Sequence, residues 1–540
     1  LSNRTSHKNE NKEVRHLTFH NVYQRPSTKP FNLALERLCC LNRFHFPLYS
    51  TINMLEPLFL LFDERMLEHK PINWVRPSVF PRDIDECDED YPVENPERLR
   101  VLYDRLLQVQ DSLIYDQKDD ELHIPSYTIF LPLDCQLASK EQIMLAHSEA
   151  QYERLEDLQY FSDAELLAMS EKRRHEVYYC RETFKAARLA AGGLLACVDA
   201  ACSPSTDNNK AVALIRPPGH HACQEKEMGF CFVDSVVIAA KYALKQNLAK
   251  RVLILDWDIH DGNGTAEATI NDPNIFRIDI HRAQFYPYTG SMGEVGTGNA
   301  RGLNLNLAWS QEGMGNSEYA AAFYELVLPL MAEYNPDLVL ISCGLDAAKG
   351  DLLGGCEVTP DFFHAMTRST LEVLGPDVPV ICALEGGYTM NVIPDCMEAV
   401  TLALMNCPYK YHSSLQLGSY VGGAALETRR DPWPKSKLER SRRVLSKYYI
   451  RGCCYRLIPT AINDINTCIR IFKDLPRWSK VPLRRLKSPL QSIKSSKIGT
   501  KRKADNVENA TQTNTWEQVP FQRPRIYLWY GTEHHHVKVW

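Results

Sequence analysis

No stretch of this 540-residue chain approaches the roughly 18 consecutive apolar residues that a membrane span needs. The longest candidate, around Leu58–Phe62, is interrupted by Glu56, Pro57 and Asp63, so a membrane-spanning class is set aside and a soluble chain is expected. Recurring cysteine spacing is also missing. Seventeen cysteines are scattered along the chain, which speaks against a disulfide scaffold and for reduced thiols. The adjacent pairs Cys39-Cys40 and Cys453-Cys454 have poor geometry for a mutual disulfide or a shared zinc and are read as structural. A large excess of one charge is absent as well, the net value of −5 being too small to name a partner class. Leu1 stands first rather than methionine, so a segment ahead of it is allowed for.

What is present is an ordinary globular composition, 44% apolar and 24% charged, in a chain long enough for one large domain with extensions. Residues 1–57 begin polar and then mix without a sustained period, and are read as a poorly ordered extension. From Leu58 the texture changes: LFLLF reads as a strand, and Asn95-Pro96 opens a helix with Leu99, Leu106 and Leu107 on one face. Ser139 with Gln142, and Ser162 with Glu165, have capping-box spacing, and residues 183–201 form an alanine-rich stretch that reads as a buried helix. Strand-like runs then follow at 211–215, 252–255, 275–280, 338–342 and 378–384, with helical patterns near 235–244, 318–333 and 361–374. This alternation predicts an α/β fold with a doubly wound, mainly parallel sheet flanked by helices, in one folded domain over 58–410.

Residues 411–540 are read as a basic, partly disordered extension. Between Lys435 and Lys503 twenty Lys or Arg stand against three acidic residues. Two readings stay open for it, nucleic-acid contact or import through Lys501-Arg502-Lys503, and a solvated segment without partner. His534-His535-His536 is taken as incidental.

The chemistry gathers where predicted strands end. After ALI comes Arg216-Pro217-Pro218-Gly219-His220-His221; after RVLIL comes the segment from Asp256 to Asn263; after LVLI comes Ser342-Cys343-Gly344-Leu345-Asp346; after VICAL comes Glu385-Gly386-Gly387-Tyr388. In open α/β sheets the carboxyl edge is where ligands bind. Asp258 and His260, two apart on an extended segment, point the same way, and Asp346 offers a third ligand to one divalent ion. An Asp2His set with an open position suits catalytic zinc. Such an ion lowers the pKa of water towards ~7, so a neighbouring His can take a proton, and His220 and His221 are the candidates. A tyrosine hydroxyl on a glycine turn, Tyr388, can reach a developing oxyanion. The set describes metal-assisted hydrolysis of an amide.

The blocks RPPGHHA, GFCFVDS, LDWDIHDGNGT, SCGLDAAKGD and LEGGY resemble the signatures of the histone deacetylase family, and more closely its class II branch, over about residues 58–405. The resemblance implies the arginase-deacetylase fold and a zinc-dependent protein lysine deacetylase that cleaves N6-acetyl-lysine to lysine and acetate through a zinc-activated water. It implies zinc held by Asp258, His260 and Asp346. His221 is implied as general base or acid with Asn263 behind it, as in class II members, and His220 as the second histidine, oriented by Asp256. Asp256 and Asp279 fall at the structural potassium site. Tyr388 is implied to polarise the acetyl carbonyl; a His stands there in the weakly active branch. Gly229, Phe230, Tyr286 and Leu353 are implied to line the acyl-lysine tunnel. Acetylated histones or cytosolic proteins are the implied partners, with a corepressor complex, in nucleus, cytoplasm or both.

The chain also departs from the family pattern. Asp261 replaces the second His of D-x-H-H-G, and is expected either to raise metal affinity or to disturb the packing behind the ligands. Asp279 stands for a Ser that helps bind potassium, Thr269 for a Phe, and Tyr286 for a tunnel Phe, in a rim loop His281–Pro287 that is shorter than usual. Three rival readings follow. A ureohydrolase of the arginase type needs more Asp and His ligands than SCGLDA supplies. A polyamine deacetylase carries a gatekeeping Glu where Leu353 stands, and an apolar residue cannot attract a cationic amine. A catalytically weak scaffold that acts by partner binding draws its support from Asp261 and Asp279.

Overall fold

Short aliphatic runs become the strands of one sheet in the computed structural model of the chain, which describes residues 56–81, 92–116, 129–173, 176–409, 436–449 and 457–487. The strands are β1 (Leu58–Phe62), β2 (Phe130–Pro132), β3 (Lys210–Leu214), β4 (Val252–Asp256), β5 (Ile275–Arg282), β6 (Asn304–Trp309), β7 (Leu338–Cys343) and β8 (Val380–Leu384). They lie in the order β2-β1-β3-β8-β7-β4-β5-β6, and every pair is parallel. β3, β4, β7 and β8 are buried at each position, as a sheet covered on both faces requires.

The covering helices are α1 (Pro96–Asp116), α2 (Thr183–Ala201), α3 (Ser235–Lys245), α4 (Asn263–Thr269), α5 (Pro360–Leu374), α6 (Ile393–Leu404), α7 (Lys437–Val444) and α8 (Pro459–Lys473). Local sequence sets their ends. Asn95 accepts the Glu97 N–H just ahead of α1, Asp234 accepts the Val237 N–H at the start of α3, and α5 starts at a proline and stops at Gly375. Both predicted capping boxes, at Ser139 and Ser162, are formed. α2 packs with α3, and α5 with α6, which also meets α1.

Sheet order explains why distant segments meet. The chain leaves β3 and re-enters at β4, and the gap between those two strands is filled by β7 and β8. Four consecutive parallel strands, β3-β8-β7-β4, therefore deliver their loops to one edge, and those are the loops with the His, Asp and Tyr blocks. β6 was not expected as a strand: Asn304-Leu305-Asn306-Leu307 alternates polar and apolar, yet all of β6 is buried, because its asparagines bond a buried arginine from β5.

The stretch after residue 410 also differs from expectation. Within it, 436–449 and 457–487 carry helices that join the core. Ile462, Ile465, Cys468, Ile469 and Phe472 form a buried stripe along α8, which lies on the β6 edge, with Asp464 accepting from Ser310 N and Oγ. Covering this edge removes an open pairing surface. The basic composition of the surrounding segment hid the stripe, although α8 itself carries only Arg470 and Lys473 as basic residues. Trp478 follows, buried against Phe276, and donates Nε1–H to the Gly302 carbonyl at 2.7 Å. All described residues belong to one compact unit, all described cysteines are free, and no described helix is long and apolar enough to cross a membrane. Cys39-Cys40, Cys453-Cys454, Lys501-Arg502-Lys503 and His534-His535-His536 lie outside the described residues.

If residues 457–487 are core, Trp478→Ala should cost about 3–5 kcal/mol of unfolding free energy. Urea unfolding checks this, and a loss under about 1 kcal/mol would mark the segment as peripheral.

Candidate metal and acid-base site

β4 ends at Asp256 and the chain runs on extended before α4. Trp257 and Ile259 turn into the core and are fully buried, so the alternate residues Asp258 and His260 face the other way. His260 Nδ1 lies 3.0 Å from Asp258 Oδ1 and 3.1 Å from Asp346 Oδ2. The outer oxygens are held by backbone: Gly386 N donates to Asp258 Oδ2 at 2.8 Å, and Ile259 N to Asp346 Oδ1 at 2.9 Å. Ligand atoms of Asp258, His260 and Asp346 fall within 4.8 Å of one another. A Cβ on Gly386 would come within 2.3 Å of Asp346 Oδ2 and 2.5 Å of Asp258 Oδ2, so that glycine is what allows the two carboxylates to close in.

Charge at this set is unbalanced. Burial penalises ionisation of Asp346, and the nearby Asp258 charge raises its pKa further. Burial works against a charged His260, but hydrogen bonds to Asp258 and Asp346 outweigh it and lift the ring to about 9. Two buried carboxylates converge on one imidazole. Asp and His donors gathered at this spacing fit a divalent ion of the zinc type, the predicted set.

The two histidines sit on the loop after β3. Glu385, from the loop after β8, accepts the N–H groups of Gly219 at 2.7 Å and His220 at 3.1 Å, which fixes that turn. His220 Nδ1 meets Asp256 Oδ2 at 3.1 Å, and His221 Nδ1 meets Asn263 Oδ1 at 2.8 Å. The rings are 4.1 Å apart but differ in charge preference. Burial opposes protonation of His220, yet Asp258 and Asp256 overcome it and hold its pKa well up. Burial, then the neighbouring His220 and His260, drive His221 well down. The surroundings thus bias His220 towards its cationic form and His221 towards its neutral one.

Tyr388 is almost fully buried on the β8 loop, its N–H donating to Asp351 Oδ2 at 2.7 Å. Burial pushes its hydroxyl well above the ordinary phenol range, so it stays a proton donor. Arg98 holds the same loop from α1, donating to the Gly387 and Glu385 carbonyls at 2.6 and 2.5 Å with its guanidinium 4.9 Å from the Tyr388 ring. Arg98 and Arg216 in turn share Glu94, fully buried. Burial alone would raise Glu94, but Arg216 and Arg98 bring it to about 2. Glu94, Arg98, Glu385 and Asp351 were not singled out from the sequence. An available signal was Arg98 on the stripe Leu102, Leu106 and Val109 of α1, where a charge needs a buried partner.

Of the expected tunnel residues, Gly229 and Tyr286 lie against His221 and Phe230 against Tyr388. Tyr286 stands edge-on to His221 at 5.1 Å, and Phe230 edge-on to Tyr388 at 5.7 Å. Gly229 has φ +54, and a Cβ there would meet the His221 ring at 2.4 Å. The Tyr286 hydroxyl donates to Glu176 Oε1 at 2.5 Å. Leu353 is half-buried, and its backbone N–H donates to Asp351 Oδ1 at 2.9 Å.

Two expectations need correction, on the rim loop and on Asp261. His281 and Arg282 finish β5 rather than opening a rim loop, and His281 is fully buried. Asp261 does not join the ligand set; it turns to Arg277 Nη2 and Thr289 Oγ1, each at 2.6 Å. Asp279, expected at a potassium site, has one oxygen accepting Gly262 N at 3.1 Å and Arg277 Nη2, while the other meets His281 Nδ1. Asp256 likewise has both oxygens engaged, with Asp258 N and His220. Thr269 is buried and donates its hydroxyl to the Thr265 carbonyl within α4.

Comparison with known proteins gives concordant matches. The family model for the histone deacetylase domain matches residues 92–404. Histone deacetylase 6 of Caenorhabditis elegans is 40% identical over 275 residues, which is 50% of this chain and 29% of that protein. Polyamine deacetylase HDAC10 of Homo sapiens is 36% identical over 322 residues, 58% of this chain and 45% of that protein. The crystal structure of the HDA15 HD domain is similar with a TM-score of 0.54 and 27% identity, covering 77% of this chain and 99% of that one. The chain thus spans less than half the length of these curated relatives. With eight parallel strands in a helix-flanked sheet, the fold is the arginase-deacetylase α/β fold expected from the sequence.

Glu94→Ala should cost about 3–5 kcal/mol, because it leaves Arg98 and Arg216 buried without their carboxylate. Chemical unfolding checks this; a variant as stable as the parent would remove the network from the account of how the Tyr388 loop is held.

Proposed function

Since the chain belongs to the histone deacetylase family, its domain model matching more than half of the residues, we propose that it is a zinc-dependent deacetylase acting on N6-acetyl-lysine in proteins. Its resemblance to class II members is consistent with that branch. The observation that carries the reading is the meeting of Asp258, His260 and Asp346 with the buried histidine pair His220 and His221 and with Tyr388. Those three residues would hold the ion. When bound, zinc supplies Lewis acidity, lowering the pKa of water and polarising an amide carbonyl.

The chain's own groups then divide the proton work. Asn263 Oδ1 accepts from His221 Nδ1–H, which leaves Nε2 unprotonated and able to take a proton from the attacking water. His220, biased towards its cationic form by Asp258 and Asp256, stabilises negative charge nearby and biases His221 towards its neutral form. Tyr388 donates its hydroxyl proton in a hydrogen bond to the carbonyl oxygen as charge develops there. Water oxygen bonds to the acetyl carbon, the C–N bond breaks, and the proton held on a histidine passes to the departing lysine nitrogen, giving acetate and lysine. Phe230 and Tyr286 flank the approach with aromatic surface, which suits the aliphatic part of a lysine side chain.

A second reading, polyamine deacetylation, is favoured by the similarity to the human polyamine deacetylase. Against it, Leu353 offers no charge to a cationic amine, and Glu176 is engaged by the Tyr286 hydroxyl. Acetylated histones or cytosolic proteins are proposed as partners, a corepressor assembly among them, with action in nucleus, cytoplasm or both.

The purified chain should hold about one zinc and release acetate from an acetyl-lysine peptide, with a hydroxamate blocking turnover. Zinc without turnover on varied peptides would favour a scaffold instead, and preference for acetyl-spermidine would favour the polyamine reading. Tyr388→Phe should lower kcat by about 100-fold or more at unchanged zinc content; loss of zinc in that variant would contradict the role given to the hydroxyl. Asp346→Ala should abolish zinc retention, measured by elemental analysis, while near-full zinc occupancy would remove Asp346 from the ligand set.

A further inference from the structure

A second group of buried ionisable side chains lies beside the ligand set. Asp261, Asp279 and His281 bring ligand-type atoms within 4.8 Å of one another, an arrangement that by itself suits a cation. Arg277 enters it from β5, two residues before Asp279 and fully buried. Its Nη2 donates to Asp261 Oδ1 at 2.6 Å and to Asp279 Oδ2. Its Nη1 donates to Asn306 Oδ1 at 2.7 Å and Asn304 Oδ1 at 3.1 Å. Only Nε has no hydrogen-bond partner among the described residues. The asparagines are themselves anchored, Nδ2 of Asn306 on the Ser291 carbonyl and Nδ2 of Asn304 on the Glu294 carbonyl.

The group supports the catalytic turn. Asp261 follows His260 directly, and Asp279 accepts the N–H of Gly262, so both carboxylates hold the segment that carries His260 on one side and Asn263 on the other. In many proteins a bound metal ion does this work for neighbouring carboxylates, at the cost of depending on its supply. Here the charge comes from a guanidinium, which stays protonated and whose planar fork can reach four acceptors at once.

We propose that Arg277 is the resident cation of this cluster and takes the place of the potassium ion that family resemblance puts beside Asp256 and Asp279, so that the His260–Asn263 turn is held without a monovalent ion. Arg277 is thus a positioning residue. Asp261 and Asp279 are its matched anions. The inference concerns ion uptake and stability and does not require the deacetylase reading to hold.

The test uses the full chain, loaded with zinc, in potassium, sodium and choline chloride at one fixed ionic strength. Its thermal midpoint should be the same in all three, and a saturable rise specific to potassium would overturn the proposal. Arg277→Thr removes the guanidinium and leaves the buried Asp261 and Asp279 with His281 beside them. It should unfold at a lower temperature and recover part of the loss in potassium but not in choline, a response that loss of packing alone would not produce; a variant indifferent to the salt would count against the proposal. Should that variant fail to fold, Arg277→Thr combined with Asp279→Ser decides the matter. Removing the cation and one of its two anions, which leaves Asp261 facing His281, should restore soluble, cooperatively unfolding protein, and a double variant no better than the single would refute the pairing.

Discussion

Carboxylates taken out of water at the end of a parallel sheet must each find a cation or a ring of N–H donors, because an unpaired buried charge costs several kcal/mol. This chain meets the requirement three times within one crevice, each time differently. Glu94 is enclosed by two arginines and a tyrosine hydroxyl. Asp261 and Asp279 share Arg277. Asp258 and Asp346 have His260 and backbone N–H groups, with His220 Nε2 at 3.8 Å from Asp258. The first two sets are closed and serve as support. The third is short of positive charge, and that deficit is what equips it to take a metal ion.

The supports reach the site through short links. Arg98 ties α1 to the backbone of the Tyr388 loop and to Glu94, while Glu385 in that loop binds the backbone under His220. One carboxylate therefore connects the tyrosine turn to the histidine turn. Gly386 sits between them, where any side chain would strike the ligand carboxylates. The result is a set of loops whose relative positions are fixed by buried hydrogen bonds, the arrangement that electrostatic preorganisation needs.

Much of this could be read from residues alone, for a physical reason. Fully buried strands are short, apolar and β-branched, so β3, β4, β5, β7 and β8 stood out, and the residues that end them stood out by contrast. Asp258, His260, Asp346, His220, His221 and Tyr388 all come from such breaks. What escaped were groups whose partners are remote in sequence. Glu94 and Arg216 are separated by 122 positions, and no local pattern announces the pair. Strand β6 was hidden because its asparagines look solvent-facing until Arg277 is known to be there, and α8 because the charge of the surrounding segment outweighed its periodicity.

The same remoteness changes how the departures from the family pattern are judged. Taken singly, Asp261 and Asp279 introduce negative charge beside a metal set and read as decay of its supports, which was the ground for a scaffold without strong catalysis. With Arg277 between them, each added carboxylate has a partner at hydrogen-bond distance, and Asn304 and Asn306 occupy the remaining face of the guanidinium. A decayed site would carry unmatched charges, since nothing would select the compensating residue. Here both anions face Arg277 and His281, and the turn bearing His260 and Asn263 is bonded on both sides. The substitutions form one set, and the case for loss of activity that rested on them loses its footing.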